Sequence, residues 1–363
     1  MACPPNSREK IQILHATLAE VDTPVLACHP LFTSSSVQYF LDFDWNGVNW
    51  NNGMEWASPA VSNSQIYDGD TLLVSPDPFD LVAVKYVTEN NGGTLSSQAR
   101  KMILKHDLNV TQDTVLPLDF DNAEEVFDLE PQVIDLIGVG SDAINAQVQF
   151  YTARGANIEL GWEYGHDPHI PFSAVPVENQ TDDDMIFAFA EAYPPGTGTD
   201  RIAGRHFKDG TNPDNLKLTF PPYTFSSPQV NLSTAEGFLH VQANWLPYEG
   251  PVHFYRLALQ TRWWSALISP GWLGTEGPYT YHSPDFSMVE GWNPLYEDFL
   301  SGDVLWSLDA YHANRNAEAF LSLMHKDNVG LEGDSLEWNL AGKVGWIAAQ
   351  QKPGGVLATS SMT

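Results

Sequence analysis

Between Leu118 and Ala341 the chain alternates in polarity and never settles into a helical stripe. Ala146-Gln147-Val148-Gln149-Phe150, Leu216-Lys217-Leu218-Thr219-Phe220 and Phe238-Leu239-His240-Val241-Gln242 each put apolar side chains on one face and polar ones on the other. A period of two marks a half-buried antiparallel strand, because successive Cβ atoms point to opposite faces of the pleat. Gly, Pro, Asn and Asp clusters break the runs at short intervals, as sandwiches require. The chain therefore reads as all-β, a tandem array of antiparallel β-sandwich domains of immunoglobulin-like or jelly-roll-like plan.

One hydrophobic core stops growing near about 250 residues, so 363 residues imply two or three domains. The pattern divides into an N-terminal sandwich over 1–128, a second over 129–222 and a third over 229–350. Pro221-Pro222-Tyr223-Thr224-Phe225-Ser226-Ser227-Pro228 is the linker before the third block. A Gly/Ser/Thr tail over 351–363 is expected to be disordered. The third block holds eight of the twelve Trp, which makes it the block to search for a binding surface.

Charge narrows the function. Forty-six Asp and Glu face seventeen Lys and Arg, for a net charge of −29. Phosphate binding depends on Lys and Arg, so nucleic-acid partners and anionic membranes are disfavoured. Solubility in an exposed or salty setting explains the acidity without any site. Calcium held by some of the carboxylates is the sharper alternative. No run of about 18 apolar residues suggests a transmembrane helix.

Two cysteines, Cys3 and Cys28, make no C-x-x-C, so thiolate zinc and thioredoxin-like chemistry are unsupported. They read as one disulfide stapling the N-terminal arm, as a lipid anchor at Cys3, or as unpaired thiols. The first two imply export. The start Met1-Ala2-Cys3-Pro4-Pro5 lacks a signal-peptide pattern, so export implies a removed leader.

Asp42-Phe43-Asp44-Trp45-Asn46-Gly47 matches the opening of a calcium loop. The twelfth position is Gly53, and Glu55 lies two residues further on. Asp42, Asp44, Asn46 and Glu55 are thus candidate calcium ligands, or parts of a polar hairpin over packed aromatics. His166-Asp167-Pro168-His169 offers two imidazoles, but Pro168 favours a plain surface turn. Gly138-Val139-Gly140-Ser141 mimics a dinucleotide fingerprint, yet strand rather than helix follows it. No nucleophile elbow, phosphate loop or H-E-x-x-H motif is present. Glu159 and Glu163 would share a strand face about 13 Å apart, wide for a glycosidase pair.

Aromatic residues supply the other candidates. Trp263, Trp264, Trp272, Tyr279, Tyr281 and Trp292 lie on strands or long Gly/Pro loops of the third block. Exposed, such rings stack on sugars or anchor proteins. Buried, they fill the core and pin the loops.

Leu81-Val82-Ala83-Val84-Lys85-Tyr86, Leu118-Asp119-Phe120, Val175-Pro176 with Asp184-Met185-Ile186, and Ser269-Pro270-Gly271-Trp272-Leu273 with Pro284-Asp285-Phe286 and Gly291-Trp292 carry a resemblance. Together they are similar to exported multi-β-sandwich lipoproteins of myxobacteria and related Gram-negative bacteria. The resemblance spans much of 65–350. It implies carboxypeptidase-regulatory-like and immunoglobulin-like modules at the cell surface or in the periplasm. No functional residue comes with it. The expected function is adhesion, surface assembly or scaffolding without catalysis, through self-association or an envelope partner. Glycan binding by the third-block rings is the alternative, and a polysaccharide- or ester-directed hydrolase comes after it.

Overall fold

The computed structural model describes residues 11–15, 37–52, 54–62, 64–68, 71–91, 93–140, 142–193, 199–222, 226, 228–235, 238–259, 264–274, 276–285, 303–317, 336–347 and 359–360. Cys3, Cys28, Trp263, Trp292 and most of the tail lie outside them. The regular structure of the described chain is nearly all β-strand, with one four-residue α-helix, Pro270–Leu273, and three short 3-10 turns.

One long sheet runs through all three sequence blocks. From edge to edge its strands are Ile11–His15, Trp264–Ile268, Phe254–Leu259, Val304–Ala313, Leu336–Ile347, Thr199–Phe207, Met185–Tyr193, Ala143–Tyr151, Asn157–Gly165, Thr94–Leu108, Phe79–Asn91 and Glu55–Val61. Val126–Asp128 pairs beside this path, and so does Thr359–Ser360, a short strand within the tail expected to be disordered. Among the described strands of this sheet, only the Ile11–His15 edge pairs in parallel. The ladder crosses both block boundaries. Leu95 to Gln98 pair with Tyr164 to Gly161, and Arg201 to His206 pair with Ala341 to Leu336.

Three smaller sheets pack on this one. Tyr39–Asn46, Ser64–Asp68, Thr71–Val74 and Thr114–Asp119 form the first. Glu130–Ile137, His169–Ala174 and Lys217–Thr219 form the second. Gln229–Ala235, Phe238–Trp245 and Tyr279–His282 form the third. The largest core lies beneath the second small sheet, where Ile134, Ile170, Phe172 and Leu218 meet Ile144, Val148, Ile186 and Ala188. A separate core beneath the third small sheet joins Leu239, Trp245 and Tyr281 to Leu257, Trp264 and Leu308.

Close approach between the layers is enforced by backbone. A Cβ on Gly161 would lie 2.2 Å from the Pro171 carbonyl oxygen, so the second small sheet crosses the main sheet where no side chain intervenes. Three edge strands of the described sheets carry proline: Pro59 in Glu55–Val61, Pro117 in Thr114–Asp119 and Pro171 in His169–Ala174. Proline removes an N–H donor and discourages edge-to-edge pairing.

One buried charge pins this layer. Arg201 is 1% exposed and pairs with Asp142, which is 2% exposed. Its guanidinium also donates to the carbonyls of Gly138 at 3.0 Å and Pro221 at 2.8 Å, over the Phe220 ring. Breaking a buried pair strands the surviving charge at about 3–5 kcal/mol. Arg201→Ala should lower unfolding stability in urea by that amount. The double variant Arg201→Met with Asp142→Leu should recover most of it, and a double variant no better than the single would contradict the assignment.

Candidate functional site

The candidate calcium residues are held in extended backbone. Asp42, Asp44 and Asn46 alternate along Tyr39–Asn46, where residues two apart are separated by about 6.6 Å. A calcium loop must instead curl its ligands around one ion. Three of the four side chains are also engaged nearby. Asp42 accepts from the Thr71 hydroxyl at 2.7 Å, and Asn46 donates to Asp119 at 2.8 Å. Glu55 pairs with Lys85 at 3.0 Å and accepts from the Asn49 amide at 3.2 Å. Lys85 and the Asn49 amide hold its carboxyl below the ordinary range. The four residues therefore do not converge, because a strand ladder occupies the place of the loop.

The paired histidines behave as a turn. His166 Nδ1 lies 2.8 Å from the Asp142 carbonyl, and His169 Nδ1 lies 2.8 Å from Asp135 Oδ1. Asp184, the last of three consecutive aspartates from Asp182, is fully buried and accepts from the amides of Ala153 and Thr181, each at 2.7 Å. Among the described residues no group of three His, Cys, Asp or Glu is placed to hold a metal ion.

The third-block aromatics divide by burial. Trp264 is 2% exposed, Tyr279 7% and Tyr281 0%, all within the core beneath the third small sheet. Their rings pack on one another and on Trp245, so ligands cannot stack on them. Trp272 is 42% exposed, on the short helix that Ser269 caps. Trp263 and Trp292 lie outside the described residues.

Two other features were not anticipated. The first is a polar cleft of about 280 Å³ at the mouth of the second sandwich. Glu89, Ser96 and Glu163 stand directly opposite one another on three adjacent strands and line it. Gln98, Arg100, Asp167 and His169 complete the polar wall. Glu163 is 3% exposed, and its Oε1 has no hydrogen-bond partner. Burial, aided by the Asp167 carboxylate and opposed by His169, pushes its carboxyl up to about 7. Glu159 does not join it. Val148 pairs with Gly161 and Gln149 with Glu159, leaving Leu160 as a bulge that resets the alternation between the two acids.

The second is the outward face of the central strands. In Met185–Tyr193 Met185 is buried at the strand's start, Ile186, Ala188, Ala190 and Ala192 face the core, and Phe187 and Phe189, half-buried, point away from it. Among the described residues, the strands of the second small sheet pack on the alanine side of this part of the main sheet. Two cross-strand rows result. Leu336, His206, Phe187, Gln149 and Glu159 are successive partners in one, whose Leu336 end is covered: Leu336 is buried in a further core with Phe254 and Leu340, against which Trp338 packs in part. Trp338, Gly204, Phe189, Gln147 and Trp162 are successive partners in the other.

The rings in these rows lie nearly parallel. Phe187 stands 4.4 Å from His206 at 18°, 5.5 Å from Phe189 at 20° and 6.4 Å from Trp338 at 19°. A Cβ on Gly204 would come within 2.4 Å of the Trp338 indole, so the missing side chain lets that ring lie down on the sheet. Burial lowers the His206 imidazole to about 4, leaving a neutral ring at neutral pH. Amides flank the rings. Gln149 Nε2 donates to Gln147 Oε1 at 2.9 Å, and the Tyr151 hydroxyl donates to Gln149 Oε1 at 2.7 Å. Tyr164 and Tyr193 extend the face at 59% and 39% exposure. The legible signal was residue size: in Met185–Tyr193 the alternation is bulky against alanine, not apolar against polar.

Comparison with protein families, with curated proteins and with solved structures finds no match.

The cleft carries a pH prediction. A carboxyl raised from 4.5 to about 7 is protonated in the fold and ionised in the unfolded chain between those values. Stability from protonated Glu163 is therefore lost as pH rises through this window. Glu163→Gln keeps a neutral side chain, so it should exceed the parent at pH 8 by about 2–3 kcal/mol and match it near pH 4.5 in urea denaturation. An equal deficit at both pH values would contradict the assignment.

Proposed function

We propose that the chain is an exported, non-catalytic recognition protein acting in adhesion, surface assembly or scaffolding, and that the outward face of the central strands is its contact surface. What carries the reading is the inversion in Met185–Tyr193: phenylalanines outward, alanines inward. Buried side chains contribute about 25 cal/mol per Å² of apolar area removed from water. A strand that places its largest apolar groups on the outer face leaves that contribution for a second body. The acidity, −29 overall, supports an exposed setting and disfavours nucleic acid as that body. No helix among the described residues is long and apolar enough to cross a membrane.

One observation favours a second reading, hydrolysis of a polysaccharide or ester. Glu163 holds a proton near neutral pH beside Asp167 in a polar cleft, as the acid of an acid/base pair does.

Retention and turnover separate the two. The purified full chain should bind isolated cell-envelope material and release neither reducing sugar nor ester hydrolysis products from it. Product release that Glu163→Gln abolishes would replace the recognition reading with the hydrolase.

A further inference from the structure

We propose that the outward face binds a neutral glycan chain, with sugar rings stacked on Phe187, Phe189 and Trp338 and hydroxyl groups bonded by Gln147, Gln149 and Glu159. This rests on the recognition reading and names its ligand class.

A pyranose ring has a flat, apolar C–H face and a rim of hydroxyl groups. Its binding site must offer an aromatic plane and, at the edge of that plane, groups able to both donate and accept. The two rows supply this in order. His206, Phe187, Phe189 and Trp338 form a patch of rings within about a 20° tilt of Phe187. Gln149 follows Phe187 on the next strand, and Gln147 follows Phe189. Glu159 and Trp162 stand one strand further out. A side-chain amide both donates and accepts, as a hydroxyl does. The Tyr151–Gln149–Gln147 chain of hydrogen bonds fixes the amide orientations before a ligand arrives.

Charge selects the type of glycan. The two rows contain no Lys or Arg, and their one ionisable acid is Glu159, whose carboxyl burial raises. Sulfated or uronic-acid chains would find no counter-charge there. Two features preorganise the patch. Trp338 lies over a glycine, and His206 stays neutral. A platform ordered in advance loses less conformational freedom on binding.

The test titrates the full chain with cellohexaose, xylohexaose, mannohexaose and chitohexaose, read by calorimetry and by tryptophan fluorescence. At least one neutral oligosaccharide should bind. Phe189→Ala and Phe187→Ala should each weaken it at least tenfold, while Phe189→Tyr and Trp272→Ala leave it within twofold. Near-UV circular dichroism of each variant establishes that the fold is kept. Binding to none of the four, or binding that survives both alanine variants, would overturn the proposal. Stronger binding to polygalacturonate than to every neutral chain would overturn it too. Capture of an envelope protein by the same face without any glycan binding would reject the glycan and leave the recognition reading standing.

Discussion

The backbone ladder of the main sheet is the constraint on which the rest of the structure depends. Its twelve-strand path takes strands from all three sequence blocks. Each small sheet buries its apolar face only because part of this ladder lies beneath it. Under the second small sheet Ala146, Ala188, Ala190, Ala192 and Ala203 face inward beside Ile144, Phe150, Ile186 and Phe207, and Gly161 admits the backbone of the crossing strand. In Met185–Tyr193 the alanines take the inner face and Phe187 and Phe189 the outer one, two sides of one sequence alternation.

Period-two alternation made the class legible, because a side chain's face follows directly from its position in a strand. It marks Val252–Gln260, Ala146–Tyr151 and Val304–His312 as strands, where the structure has Phe254–Leu259, Ala143–Tyr151 and Val304–Ala313. It also reads Thr114–Phe120 as an edge strand, where Pro117's missing N–H is tolerated, and the structure places Thr114–Asp119 at a sheet edge. What it could not carry was partner choice. The pairing of Thr199–Phe207 with Leu336–Ile347 joins segments more than a hundred residues apart, and no local pattern records it. Nor does alternation say which face meets the core. In Met185–Tyr193 the apolar content suggested a core strand, and only residue volume separates the alanine side from the aromatic side.

The candidate sites show the same limit. Asp42, Asp44 and Asn46 have the spacing of a calcium loop, but Tyr39–Asn46 pairs with neighbours on both sides and stays extended. Glu159 and Glu163 have the spacing of one strand face, but an unpaired Leu160 separates them. Trp264 and Tyr281 have the chemistry of a sugar platform, but both lie in a core. In each case residue type was informative, and long-range pairing decided the outcome. Charge was handled consistently. Arg201 and Asp184 are buried as structural staples, Arg201 held through both terminal guanidinium nitrogens and Asp184 through two backbone amides, whereas the buried Glu163 keeps an Oε1 without a partner. An unpaired buried carboxylate is costly, and protonation relieves it.

Hydroxyl-radical footprinting read residue by residue by mass spectrometry tests the central claim most directly. Phe187, Phe189, Tyr151 and Trp338 should be modified much faster than the buried Phe150, Phe172 and Phe207 of the same sandwich. Equal labelling of the two groups, or faster labelling of the second, would mean that the rings do not lie on the outer face and that the account is wrong.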